Sequence, residues 1–143
     1  MTGLILISHG PFVKAALETV KMLQGEPEHT KAIAFETGES IDKLSRDIDD
    51  AAESLHADEI LVMVDILGGS PFNASAMRIK EHKLNVITGI NIPSLLEILP
   101  MLETTGIDEL SKIAVDAGKK GIIDVAERLK NRRKNREKGK EYC

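Results

Sequence analysis

Short uninterrupted aliphatic runs, alternating with longer segments of helical periodicity, leave this chain few folds to choose from. The first run is Gly3-Leu4-Ile5-Leu6-Ile7-Ser8. No polar residue interrupts Leu4 to Ile7, so it reads as a strand buried on both faces. Pro11 then sits where a first helical residue is favoured, and Phe12, Ala15, Ala16 and Leu23 recur at helical spacing until Gly25 ends the segment. Lys31 to Phe35 reads as a second strand. Ser40 is placed to cap a helix that turns Ile41, Leu44, Ile48, Ala52 and Leu55 inward. Glu59 to Val64 is the third strand, another continuous apolar run, and it stops at Asp65 before the turn Leu67-Gly68-Gly69-Ser70-Pro71. There Ser70 fits an N-cap and Pro71 the first helical position, with Phe72, Ala76 and Ile79 as the inward face. Leu84 to Thr88 is a fourth strand and Gly89 its turn; Ile92 to Leu102 is a helix that Pro100 ends or kinks. Asp108 to Ala117 is a further helix. Gly121 to Val125 is ambiguous, because its β-branched residues favour a strand while Ala126 to Leu129 favour a helix.

Strands alternating with helices imply an α/β domain with a mainly parallel sheet, and right-handed crossovers restrict its winding to a few orders. The expected order is 2-1-3-4, flavodoxin-like and doubly wound. In that order strands one and three are neighbours whose chains leave in opposite directions, which opens a crevice at their carboxyl ends. His9 follows strand one and Asp65 follows strand three. Two residues far apart in sequence are therefore predicted to face each other where such sheets bind ligands.

Neutral imidazole is nucleophilic near neutral pH and is also a good leaving group, so histidine suits reversible acceptance of a phosphoryl group. A hydrogen bond from one ring nitrogen to Asp65 fixes the tautomer, aims the other nitrogen outward and stabilises the positive ring. Gly68, Gly69 and Ser70 lie at a helix start, where unpaired N–H groups and the helix dipole favour anions; the Ser70 hydroxyl adds a donor. Gly10 allows close approach of the backbone. Taken singly, these residues have bland readings as loop, turn and cap. The functional reading rests on their convergence upon one crevice. His29 and His56 fall in loops before strands, at the opposite end of the sheet, and His82 ends a helix; all three read as solvated.

Several other chemistries lack their signatures. There is no G-x-x-x-x-G-K-[ST], G-x-G-x-x-G or H-E-x-x-H, and the single Cys143 excludes a cysteine metal cluster, so neither a metal nor a cofactor is expected. Ser70, His9 and Asp65 form the enzymatic alternative, a hydrolase triad, but Ser70 lacks the G-x-S-x-G elbow. A receiver-like domain wants an acidic pair after strand one, where this chain has Ser8-His9-Gly10. The six-residue opening run reads as neither signal peptide nor membrane span, and cysteine usage suits the cytoplasm. Aromatics are 3% of the 143 residues, which disfavours a base-stacking site and leaves no nucleic-acid partner expected. Charge is divided unevenly. Residues 127–143 carry eight Lys or Arg against three Asp or Glu, a basic tail or the start of a linker after a domain over residues 1–126.

Ser8-His9-Gly10, together with Val64-Asp65-Ile66-Leu67-Gly68-Gly69-Ser70-Pro71-Phe72-Asn73, resembles the IIA domains of the mannose family of sugar phosphotransferase systems (PTS). Gly89-Ile90-Asn91-Ile92-Pro93 is also similar to a family segment, and the likeness runs over about residues 2 to 125. The resemblance implies a phosphoryl relay in which His9 takes the group from the phosphocarrier HPr and passes it to a IIB component. The membrane IIC and IID components are reached only indirectly. Asp65 matches the family aspartate that bonds the histidine, and Ser70 the serine that helps hold the phosphoryl group. The resemblance further implies a homodimer with an exchanged last strand, which would make Gly121 to Val125 a strand antiparallel to the partner's sheet. Some members have Trp where this chain has Leu67, leaving a smaller apolar wall. Related dihydroxyacetone kinase phosphotransferase subunits share the strand and histidine, but Gly-Gly-Ser-Pro-Phe-Asn is not expected in them.

Overall fold

Strands β1 (Thr2–His9), β2 (Thr30–Phe35), β3 (Glu59–Val64) and β4 (Leu84–Thr88) pair in parallel in the order β2-β1-β3-β4, as the sequence predicts. They belong to a computed structural model that describes residues 1–80 and 83–141. Helices α1 (Phe12–Gln24), α2 (Ile41–Leu55), α3 (Gly69–Ala76), α4 (Ile92–Ile98), α5 (Ile107–Lys120) and α6 (Val125–Glu141) complete the chain, with a 3-10 turn at Leu99–Met101.

Side-chain parity in the central strands divides the core into two layers. Leu4 and Leu6 of β1, with Leu61 and Met63 of β3, pack under Val13, Ala16 and Val20 of α1 and under residues of α4 and α5. Ile5, Ile7, Val62 and Val64 point the other way, onto Leu44, Ile48 and Leu55 of α2 and Ala74 of α3. Leu4 to Ile7 have no exposed surface, which explains why their run shows no polar alternation. Each aliphatic side chain so buried contributes roughly 1.5–3 kcal/mol relative to exposure, so two-sided cover of β1 and β3 dominates the apolar stabilisation.

Some local expectations shift. The inward face of α1 is Val13, Ala16 and Val20, while Phe12, Ala15 and Leu23 are exposed. Of the residues the periodicity picks out, only Ala16 lies on that face, because several apolar residues compete for the stripe. Helix α3 begins at Gly69 with Gly68 as N-cap, so Ser70 and Pro71 lie within its first turn. Pro71 is tolerated there because the first helical N–H groups have no intrahelical partner. The buried face of α3 is Pro71, Ala74 and Ser75, with Phe72 partly buried; Ile79 lies beyond the helix and is exposed. Pro100 does end α4, which tightens into the 3-10 turn. Gly121–Val125 forms no strand: Val125 already starts α6, and the preceding residues have no regular structure. A strand needs a neighbour for its backbone groups, and within one chain this segment pairs with none of the described residues. The basic tail is helical, with charged and polar residues on every side.

Candidate active site

Parallel registry brings the two predicted residues together. Ile7 pairs with Val64, so β1 and β3 end side by side, His9 closing β1 and Asp65 following β3. The Asp65 N–H donates to the Ile7 carbonyl at 3.2 Å, which extends the ladder by one step and turns the carboxylate toward β1. Asp65 Oδ2 then accepts from the His9 backbone N–H at 3.0 Å and lies 2.9 Å from His9 Nδ1. Oδ1 accepts from the Ile66 N–H at 3.0 Å. Burial pushes the Asp65 carboxyl upward, but hydrogen bonds from the His9 backbone and ring, the His9 charge and the Ile66 N–H outweigh it and hold the group below the ordinary carboxylate range. An ionised Asp65 accepts only, so Nδ1 donates to it, and in the neutral ring the lone pair is on Nε2.

The Nε2 side of the ring meets α3. A Cβ on Gly69 would stand 3.3 Å from Nε2 and 3.2 Å from Cε1, on a residue whose φ is +83°. Glycine is thus required twice over, for conformation and for the close approach of the ring to the first turn of α3. Unbonded N–H groups of that turn face anions favourably. Ser70 belongs to the turn and is half-buried, and no hydrogen bond joins it to His9 among the described residues. The Phe35 ring meets the imidazole edge-on at a centroid distance of 6.2 Å. The Gly10 N–H is spent on the Phe35 carbonyl at 2.9 Å, and space around its would-be Cβ is open. Its φ of +59° is what demands glycine. Leu67, two residues past Asp65, is 70% exposed.

His29 and His56 stay away from the site. His56 caps the C-terminal end of α2 and is exposed. His29 is more than solvated, since its Nε2 lies 2.8 Å from Glu103 Oε1 and 3.9 Å from Glu28 Oε2. Their donor atoms lie within 4.8 Å of one another, so this trio could hold a cation at the end of the sheet remote from His9. His82 lies outside the described residues. Sequence reading missed Ser8, which is buried with its hydroxyl bonded on both sides. The available signal is a polar residue at the parity of Leu4 and Leu6, directly after the apolar run Leu4 to Ile7.

A family model described as "PTS system fructose IIA component" matches residues 3–115. The chain belongs to the mannose-type PTS IIA family. The fructose-specific EIIA component of Bacillus subtilis is 35% identical over 112 residues, covering 77% of each chain. The mannose-specific EIIAB component of Escherichia coli is 36% identical over 124 residues, which are 84% of this chain and 38% of that longer one. Among solved structures, PTS component EIIA from Streptococcus agalactiae superposes with a TM-score of 0.82 at 27% identity, covering 89% of this chain and 99% of that one. A PTS IIA protein associated with the fucose utilization operon of Streptococcus pneumoniae gives 0.79 at 26% identity, covering 90% and 96%.

PTS IIA components are phosphotransferase proteins and phosphoryl carriers in sugar uptake, working in a chain with other PTS components. Membership in this IIA family gives no support to the hydrolase triad or to the dihydroxyacetone kinase alternative. No helix among the described residues is long and apolar enough to cross a membrane.

Proposed function

We propose that this IIA component carries the phosphoryl group on His9 Nε2, taking it from HPr and passing it to a IIB component. The observation that carries the reading is the oriented imidazole: Nδ1 is held by Asp65 at 2.9 Å while Nε2 opens toward the first turn of α3. The Nε2 lone pair forms the new N–P bond as the donor's N–P bond breaks, and that electron pair stays on the donor imidazole. His9 needs no proton transfer, since Nδ1–H stays bonded to Asp65, which stabilises positive charge on the ring. The N–H groups of the Gly69-Ser70 turn and the Ser70 hydroxyl receive the phosphoryl oxygens, and Gly68 caps the turn. No metal or cofactor is required by this step.

Side chains around His9 suit a protein partner. The His9 side chain is 49% exposed, and apolar surface is presented by Phe12, three residues after it, and by Ile66 and Leu67, which directly follow Asp65. A cytoplasmic homodimer fits the same reading, with Ile122, Ile123 and Val125 exposed in one chain and free to add to a second copy. Fructose, mannose and sorbose are the specificities named for relatives; a IIA component meets proteins, so the sugar of this system is set elsewhere. The test is incubation with phosphoenolpyruvate, enzyme I and HPr. Wild type should acquire one acid-labile, alkali-stable phosphate and His9→Ala none. Phosphate on His9→Ala would move the site, and a wild type that never accepts phosphate would end the relay reading.

A further inference from the structure

We infer that Ser8, a residue that no partner can touch, is a positioning residue for phosphoryl transfer, pinning the turn that carries His9. The inference rests on the relay reading. Ser8 is fully buried at the end of β1, on the parity of Leu4 and Leu6, and so faces α1, while His9 on the opposite parity faces α3. Its hydroxyl donates to the Gly10 carbonyl at 3.1 Å and accepts from the Val13 N–H at 3.0 Å. Helix α1 has Pro11 at its N-cap, a residue with no side-chain acceptor to offer, so the hydroxyl supplies the cap from outside the helix.

Three bonds then hold the nucleophile's backbone. The Gly10 carbonyl is tied to Ser8, the Gly10 N–H to Phe35 and the His9 N–H to Asp65. Residues 8 to 13 close on themselves around one oxygen, so the His9 turn cannot rotate without breaking a buried bond. Loss of the hydroxyl leaves a partly buried carbonyl and a buried N–H short of a partner and frees the turn. The expected consequence is an imidazole that spends less time aimed along α3. Reactions of this kind tolerate misplacement poorly: an error near 1 Å costs up to about 100-fold.

Ser8→Ala should therefore accept phosphate about 10- to 100-fold more slowly, with KM for phospho-HPr unchanged because a fully buried hydroxyl makes no contact with the donor. Nitrogen-15 NMR of the His9 ring should show the single Nδ1–H tautomer of wild type giving way to a mixture, at temperatures well below unfolding. Ser8→Thr, which keeps the hydroxyl and suits a strand, should restore most of the rate and the wild-type ring spectrum. If Ser8→Ala does not fold, Ser8→Cys, a weaker hydrogen-bonding group, takes its place in the same readings. Wild-type rates without the hydroxyl overturn the inference, as do equally slow Ala and Thr variants with an unaltered ring spectrum. Should wild type itself accept no phosphate, the relay reading falls, and an unchanged ring spectrum in Ser8→Ala rejects the positioning role separately.

Discussion

Asp65 divides its oxygens between local order and chemistry: Oδ1 ties down Ile66, while Oδ2 takes both the backbone and the ring of His9. Asp65→Asn keeps an acceptor for one of these bonds but removes the charge, so the fold should survive while transfer to His9 slows by at least about 10-fold and up to about 10⁴-fold, the loss seen where a carboxylate that fixes a histidine tautomer becomes an amide. Single-turnover phosphorylation from phospho-HPr measures it, and unaltered kinetics would take Asp65 out of the mechanism. A second expectation follows from its ionisation. The folded carboxyl titrates below its unfolded value of about 3.9, so its contribution to stability is complete above that pH and is lost as pH falls through the lower folded value. Urea midpoints of wild type and Asp65→Asn should therefore differ at pH 7 and converge in acid below about pH 4. A gap that stays constant across that range contradicts the assignment.

Among the elements, α2 shows how local signals and packing agree. The Ser40 Oγ accepts from the Lys43 N–H at 3.1 Å, and Leu44, Ile48 and Leu55 insert against the sheet. Ile41 stays exposed, which narrows the predicted face to the residues that reach β1 and β3. Ser40→Ala should cost about 1 kcal/mol, read as a lower denaturant midpoint with an unchanged slope. Phosphate acceptance should be unaffected, since α2 supplies no group that touches His9. In α3 the local signals pulled apart: Ser70-Pro71 has the sequence of a cap followed by a first helical residue, yet the helix starts at Gly69. Two consecutive glycines with positive φ, Gly68 and Gly69, let the chain turn earlier than the cap rule foresees, and contact with the His9 ring fixes where.

For the whole molecule, the exposed Ile122 and Ile123 ahead of α6 and Val125 at its first position raise the question of association. Ile122 is 81% exposed and Val125 64% in the single chain. If this segment joins a second copy, Ile123→Asp should convert a dimer to a monomer in sedimentation velocity at micromolar concentration; a wild type that is already monomeric refutes strand exchange. The sheet order and the meeting of His9 with Asp65 were legible in the sequence because continuous apolar runs mark strands covered on both faces, and right-handed crossovers then leave few ways to arrange them. Ser8-His9-Gly10 and the segment from Val64 to Asn73 also carried the family. Which face of α1 turns inward, the spending of the Gly10 N–H on Phe35, the pairing of His29 with Glu103 and the hydroxyl bridge of Ser8 were decided only in the tertiary structure. The first three depend on the orientation of a side chain or turn against a neighbour distant in sequence, about which local periodicity contains no information; the Ser8 bridge reaches only Gly10 and Val13, but it forms only when the end of β1 and the start of α1 are folded against each other.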